Sequence, residues 1–396
     1  MRLAVLSLRS CPVGKHRLED DGGIADYVRD VALALGKQCH AVDIFTSAHP
    51  EPHPAATDVA ERVQLIHIPD ADLPPYQQSI YNHVPELVDG IETCRIGRGY
   101  RYDAIFSHGW ISGSAGQFLK NRWSVPHAVM FHTLGLGNNT TAPGENGSDL
   151  RSDTEKSLVS QADKIIAFTQ KEKRTLSRFY QAPLRKVSVI PGGVNLELFH
   201  PLNRKTARQQ IGLTNEKCVL YVGGIEPVKG LDNLIKAVAR VALDIPRVKL
   251  IICCGDNPAE IAKLQSLTVR LNVADKVVFT PEVPREQLPV YYSAADIFAL
   301  PSYYESFGVT ALEALACGTP VVASDVGNLV DIIEPAVNGY ITPNNSPGQL
   351  AAWLKTGLRT DFADSNRIRQ SVARYSWDKI AGKIIRQFDL LEKKRR

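Results

Sequence analysis

The chain has 396 residues, which predicts two domains of ordinary size, each able to bury its own core. Hydrophobic residues make up 44% and charged residues 22%, the balance of a soluble globular protein rather than a disordered or fibrous one. A net charge of only +4 argues against a nucleic-acid footprint, and no apolar run is long enough to span a membrane.

The N-terminal MRLAVLSLRSCPVGKH reads as a short strand followed by polar residues, not as a signal peptide. The seven cysteines show no framework or metal spacing, and Cys253 and Cys254 are neighbours in an apolar run, so reduced, cytosolic thiols are expected. Sequons open at Asn138, Asn139 and Asn146, but they carry no weight without a secretory route. The C-terminal EKKRR could touch anionic lipid, although a frayed, solvated terminus is the better account. A cytoplasmic protein is expected, with peripheral contact at the inner face of the membrane and homo-oligomer formation left open.

Along the chain, apolar runs bounded by Gly, Pro or polar turns alternate with helix-period segments, the pattern of a parallel α/β sheet. Residues 2–8 form the first expected strand, followed by a loop and an amphipathic helix over 24–35. Further strands are expected at 41–46, 63–68, 104–107, 127–131, 164–167 and 187–190, with helix between 107 and 127. The segment VIPGGVNLELFHP at 189–201 breaks this rhythm with Pro-Gly-Gly and a polar run. A second α/β cycle then begins: strands at 218–222, 249–253, 277–280, 297–300, 321–323 and 339–341. Its helices are expected at 231–242, 259–271, near 287–293 and at 309–317. Tyr375-Ser376-Trp377 caps a last helix through Glu392. The two halves read as two Rossmann-type domains hinged near residue 200.

The segment YESFGVTALEALACGTPVVASDVGN (304–328) is the most informative. It sets Glu305 and Glu313 eight residues apart, at either end of a Ser306-Phe307-Gly308 turn and a short helix opening at Val309. That helix directs free backbone N–H groups and positive dipole towards whatever sits beside Glu305, which suits a phosphate. At about 1.5 Å per residue the carboxylates lie roughly 12 Å apart. Glycosidase acid/base pairs are separated by only about 5 to 9.5 Å. The spacing instead fits one carboxylate on a sugar, the other on a ribose, and a diphosphate between them.

This segment resembles the E-x7-E motif of retaining glycosyltransferases of family 4, which have the GT-B fold. Other segments extend the likeness over nearly the whole chain. Gly22-Gly23-Ile24-Ala25-Asp26-Tyr27-Val28 is similar to the GG-x-x-x-YV loop of sucrose-phosphate synthases and of the inositol-phosphate glycosyltransferases of the mycothiol pathway. Ser107-His108-Gly109-Trp110 resembles their HSHYW strand end, and His132-Thr133-Leu134-Gly135 their HTL motif. Tyr221 to Gly230, YVGGIEPVKG, resembles V-G-R-x-x-P-x-K-G. Gly224 stands at the arginine position, Gly109 at the tyrosine of HSHYW, and Asp70 and Asp72 near a lysine of the mycothiol-type enzymes.

The resemblance implies an α/β, GT-B fold: two Rossmann-like, doubly wound parallel-sheet domains facing across a cleft. Residues 1–198 would be the acceptor-binding domain and 199–376 the nucleotide-sugar-binding domain, with the helix at 377–396 crossing back to the first. A retaining enzyme would move a hexose or N-acetylhexosamine from a nucleotide-sugar, UDP-linked in most relatives, to a hydroxyl of a small polar, sugar or sugar-phosphate acceptor. His132, Lys229 and Glu305 are the expected catalytic residues. Gly22, Gly23, Lys229, Glu305, Ser306, Phe307, Gly308, Val309 and Glu313 would hold the donor, Glu313 taking the ribose. Thr133 and Arg151 would hold an acceptor phosphate, and His108 would be structural. The nucleotide-sugar is a co-substrate, with no cofactor and no metal required, because Lys229 and the helix dipole supply the positive charge. The alternative is a nucleotide-sugar-binding protein with weak or lost transferase activity, for which Gly224 is the reason. Another enzyme on the same fold, such as a sugar-nucleotide epimerase or a phosphorylase, is disfavoured by E-x7-E.

Overall fold

A computed structural model describes residues 1–13, 23–47, 53–68, 77–136, 149–255, 257–281 and 283–395. Gly22, Asp70, Asp72 and the three sequons lie outside the described residues. The chain divides into two compact units: Met1–Gly193 with Trp377–Arg396, and Val194–Ser376. Among the described residues, no helix is long and apolar enough to cross a membrane. None of the seven cysteines is in a disulfide.

The first unit is built on a sheet of eight strands: β1 (Arg2–Leu6), β2 (Ala41–Ser47), β3 (Ala56–Ala60), β4 (Val63–Ile68), β5 (Ala104–His108), β6 (His127–Met130), β7 (Lys164–Ala167) and β8 (Val187–Val189). Their order across the sheet is β3-β4-β2-β1-β5-β6-β7-β8. Strands such as Leu3-Ala4-Val5-Leu6 are continuous apolar runs because helices cover both faces and every side chain is buried. All ladders are parallel except that of β3 with β4. That edge hairpin departs from the expected all-parallel sheet. Glu61 and Arg62 close it, Arg62 having a positive φ of 66°, and so short a connection can only join antiparallel strands. Helix Trp377–Arg395 belongs to this unit and runs further than the expected end at Glu392. Lys393, Lys394 and Arg395 in its last turn favour the extension by complementing the helix dipole. Trp377 anchors its start, donating from Nε1 to buried Asp30 at 3.1 Å, and Phe388 packs edge-on to Phe106.

The second unit carries six parallel strands: β9 (Lys217–Val222), β10 (Val248–Cys254), β11 (Val277–Pro281), β12 (Ile297–Leu300), β13 (Val321–Ser324) and β14 (Gly339–Thr342). Their order is β11-β10-β9-β12-β13-β14. The amphipathic helix Leu231–Asp244 and helix Pro347–Arg359 lay Leu234, Val238, Leu350 and Leu354 onto Val219, Ile252, Ala299 and Val322, forming one core. The latter helix, along with Arg204–Gln210 and Ser365–Ser371, adds to the expected elements.

Both sheets are doubly wound. In the first, the chain moves outward from β1 and returns to β5 on its other side; in the second, it leaves β9 and returns to β12. At such a switch point the loops leaving the two neighbouring strands diverge to opposite faces and open a crevice at their carboxyl ends. The motifs singled out in the sequence cluster at these two places.

Candidate active site

In the second unit, the loop leaving β9 carries Gly223 to Gly230 and the loop leaving β12 carries Pro301 to Gly308. The two loops are bound together. Tyr303 N–H donates to the Val228 carbonyl at 2.8 Å, and Gly230 lies so close to Pro301 that a Cβ there would overlap the Pro301 carbonyl oxygen. Gly230 also has a φ of 70°, so only glycine can turn the chain here from the 3₁₀ turn Pro227–Lys229 into the following helix. Beneath the loop, the buried Tyr221 phenol donates to the Gly224 carbonyl at 2.5 Å.

This packing delivers Lys229 to Glu305. Lys229 Nζ donates to Glu305 Oε1 at 2.9 Å, and Ser302 Oγ donates to the same oxygen at 2.8 Å. Burial works against the Lys229 ammonium, but the charge and hydrogen bond of Glu305, with the charge of Glu226, outweigh it and raise its pKa above the ordinary value. The lysine is therefore a fixed positive charge. Phe307 is buried and packs edge-on to Tyr375, fixing the turn that contains Ser306. Gly308 caps helix Val309–Ala316 with a φ of 94°, and a Cβ on it would come 2.6 Å from Leu329 Cδ2. Val309 opens the helix, whose first amides have no intrahelical partner.

Glu313 lies on the same helix but is buried, accepting from Tyr292 OH at 3.1 Å and pairing with Arg285 at 3.5 Å. Arg285 in turn lies over the Phe199 ring. The second carboxylate of E-x7-E is thus held by an interior tyrosine and an arginine, neither of which was singled out in the sequence.

In the first unit, His108 ends β5 and His132 follows β6. His132 has a φ of 62°, a left-handed conformation uncommon for a non-glycine residue, and the Thr133 N–H closes the turn onto the Phe131 carbonyl at 2.8 Å. Nδ1 of His108 and Nε2 of His132 share a hydrogen bond of 2.9 Å. Tyr27, Phe168 and Phe106 pack around the pair. Among the described residues His108 Nε2 is buried without a partner. A stranded donor there costs more than a stranded acceptor, which favours a proton on His108 Nδ1, donated to His132, and leaves the His132 proton on Nδ1. Sequence reasoning gave His108 only a structural part; the structure makes it the partner of His132.

Burial pushes the His132 pKa down to about 3 and that of His108 well below 6.5, the latter aided by His132. Burial likewise lowers His127, bonded to Ser107 Oγ at 2.8 Å, to about 3. All three are neutral in the folded chain and return to ordinary values on unfolding. Between about pH 6.5 and 3 the unfolded chain therefore binds more protons, and stability falls as pH falls, by about 1.4 kcal/mol per pH unit for each of His127 and His132, with His108 acting in the same direction. We expect the thermal midpoint to drop steeply below about pH 6. A midpoint unchanged between pH 7 and 4.5 would contradict neutral burial of the three rings.

Thr133 and Arg151 come together, and the contact extends inward. Arg151 Nη2 donates to Thr133 Oγ1 at 2.9 Å and to its carbonyl at 3.1 Å, while Nε donates to fully buried Glu155 at 2.8 Å. Glu155 also accepts from the Gly135 N–H at 3.0 Å and from Tyr180 OH at 2.5 Å. The i,i+4 spacing of Arg151 and Glu155 was a readable signal; Tyr180 was not. Glu155→Ala takes the acceptor away from the Tyr180 O–H, the Arg151 Nε–H and the Gly135 N–H, so a loss of about 3 kcal/mol is expected in denaturant unfolding. A loss below 1 kcal/mol would remove Glu155 as the anchor of residues 133–136. Gly23 caps helix Ile24–Lys37 with an ordinary negative φ, and among the described residues nothing lies within 4 Å of its Cβ position.

Comparison with known proteins gives this arrangement a family. The model for glycosyl transferases group 1 matches residues 203–374, and that for Glycosyltransferase Family 4 matches residues 21–198. The D-inositol 3-phosphate glycosyltransferase of Thermobispora bispora is 33% identical, over 97% of this chain and 93% of its own length. The chain belongs to the group 1, family 4 glycosyltransferases. Among solved structures, the sucrose-phosphate synthase of Thermosynechococcus elongatus is 30% identical with a TM-score of 0.87 over 99% of both chains. HepE of Anabaena, solved in complex with UDP-glucose, shares the fold: TM-score 0.71 at 21% identity, over 98% of this chain and 99% of its own. Within this glycosyltransferase family, GT-B is the fold of both sheets described above.

Proposed function

We propose that this glycosyltransferase is a retaining enzyme that moves a hexose or N-acetylhexosamine from a UDP-linked donor to a hydroxyl of a sugar-phosphate or polyol-phosphate acceptor. The observation that carries the proposal is the Lys229–Glu305 pair, set at the β9/β12 switch point beside the amino end of helix Val309–Ala316. A diphosphate at that helix end meets backbone N–H groups and a lysine held in its charged form. As the bond from the anomeric carbon to the β-phosphate oxygen breaks, Lys229 and the helix stabilise the charge left on the phosphate. The acceptor hydroxyl attacks the same face and its proton passes to the departing phosphate oxygen. No side chain serves as nucleophile.

Glu305, with the backbone at Phe307 and Gly308, holds hydroxyls of the transferred sugar in this reading, and Glu313 takes the ribose. Use of Glu313 requires the ribose to share it with Tyr292 and Arg285. His132, kept neutral and oriented by His108, offers an N–H rather than a charge to the sugar. Thr133 and Arg151 present a hydroxyl and a cation suited to an acceptor phosphate, as the names of the inositol-phosphate and sucrose-phosphate relatives suggest. No resident metal is called for, since Lys229 and the helix dipole supply positive charge. A cytoplasmic location fits nucleotide-sugar and sugar-phosphate substrates.

A mass-spectrometric screen of UDP-glucose and UDP-N-acetylglucosamine against D-inositol 3-phosphate and hexose 6-phosphates tests the reading. An α-linked product from an α-linked donor is expected; a β-linked product would contradict retention. A second reading, a nucleotide-sugar-binding protein with weak or lost transfer, is favoured by the absence of a cation at Gly224. The two separate on donor hydrolysis: a transferase leaks donor slowly to water, and a binding protein leaves it intact.

A further inference from the structure

The loop that carries Lys229 holds a second carboxylate that the reaction above does not use. Glu226 is two residues beyond Gly224, and its side chain folds back over that glycine: a Cβ on Gly224 would overlap Glu226 Oε2 and lie 2.6 Å from Oε1. Glu226 also acts on the charge of Lys229 and on the buried phenol of Tyr221, as Glu305 does. Lys229 therefore lies in the field of two carboxylates, one bonded to it at 2.9 Å and one across the loop. Any anionic ligand drawn to Lys229 meets both. Glu305 has a partner in Ser302 besides the lysine, and it faces the helix-end turn. Glu226 is exposed, and among the described residues its side chain makes no hydrogen bond. Its carboxylate fills space that the missing Gly224 side chain leaves open, in the loop that carries Lys229.

We infer that Glu226, folded over Gly224 in the loop that carries Lys229, opposes the nucleoside diphosphate and so holds down affinity for free diphosphate. This rests on the reading of Lys229 as the diphosphate site. The physical consequence is easier release of the diphosphate product: negative charge held beside it weakens its binding without entering the bond-breaking step. It also makes the position of Gly224 conditional. An arginine placed there would displace Glu226 and pair with it, so its charge would be spent on the loop and not on the ligand.

Calorimetric titration of the full chain with UDP tests this, using E226Q, K229A, G224R and the double variant G224R/E226Q. E226Q should bind UDP about three- to fivefold more tightly than the unmodified chain, the worth of one removed like-charge contact near the surface. G224R alone should gain little, and the arginine should raise affinity more in the double variant than in the chain with Glu226 present. Unchanged or weaker binding by E226Q, while K229A still loses affinity, would overturn this inference and leave the diphosphate site standing. Absence of UDP binding by every variant would overturn both.

Discussion

Glu305→Ala should reduce sugar transfer by at least about 100- to 1000-fold while UDP still binds. Glu305 is held at its post by Ser302 and Lys229, so its oxygens are fixed before any ligand arrives. A prearranged acceptor of this kind has its greatest effect on hydroxyls that must be placed as the anomeric carbon reacts. Its removal leaves the amino end of Val309–Ala316 and the Lys229 ammonium intact. The diphosphate contacts therefore survive, and release of the ammonium from its carboxylate should hold UDP as well as before. The measured pattern is a collapse of kcat, a folded protein by circular dichroism, and UDP affinity no lower than in the unmodified chain. Retained turnover would exclude the role given to Glu305.

Lys229→Ala should give the opposite pattern. It removes the ammonium that Glu305 helps to hold charged and leaves that carboxylate without its cation. A charge-assisted hydrogen bond to phosphate is worth about 1.5 to 3 kcal/mol, so UDP affinity should fall about 10- to 100-fold. The Glu305 carboxylate, left beside the diphosphate without its cation, pushes towards the upper end of that range. Lys229→Arg keeps the charge and should recover most of the binding. Unchanged affinity in Lys229→Ala would take the lysine out of the diphosphate site. The two variants thus separate the chemistry of the sugar from the binding of the nucleotide.

Most of the strands were legible because, in a doubly covered parallel sheet, burial on both faces writes itself as a short apolar run. Val63–Ile68, Lys164–Ala167 and Ile297–Leu300 match the expected bounds residue for residue. Strand β3 was not legible: Ala-Thr-Asp-Val-Ala at an exposed edge has neither the apolar run nor a glycine turn to mark it. Helices Arg204–Gln210, Pro347–Arg359 and Ser365–Ser371 did carry start signals. Asn203, Ser346 and Asp364 each cap one with a side-chain oxygen. Arg204–Gln210 and Ser365–Ser371 are short and polar, where periodicity, the stronger cue, is weak; Pro347–Arg359 carries both cues, with Leu350, Leu354 and Leu358 on one buried face.

The site was legible where its parts are neighbours in sequence and obscure where the fold brings distant residues together. Glu305, Phe307, Gly308 and Val309 form one continuous turn, and Lys229 sits in a motif of its own. The bond from His108 to His132, the hold of Tyr292 and Arg285 on Glu313, and the Tyr180 hydroxyl on Glu155 join separate elements. No local pattern announces such pairs. The contact of Glu226 with Gly224 is local, yet it depends on a side-chain direction that spacing does not set.

Everything rests on a pyrophosphoryl group lodging at the start of the helix that follows Gly308. Crystals grown with UDP-glucose or UDP-N-acetylglucosamine examine that directly. Density for two phosphates within hydrogen-bonding distance of the Lys229 ammonium and the Val309 and Thr310 amides is the predicted result. Nucleotide bound elsewhere, or a helix end left empty at saturating donor, would contradict the account.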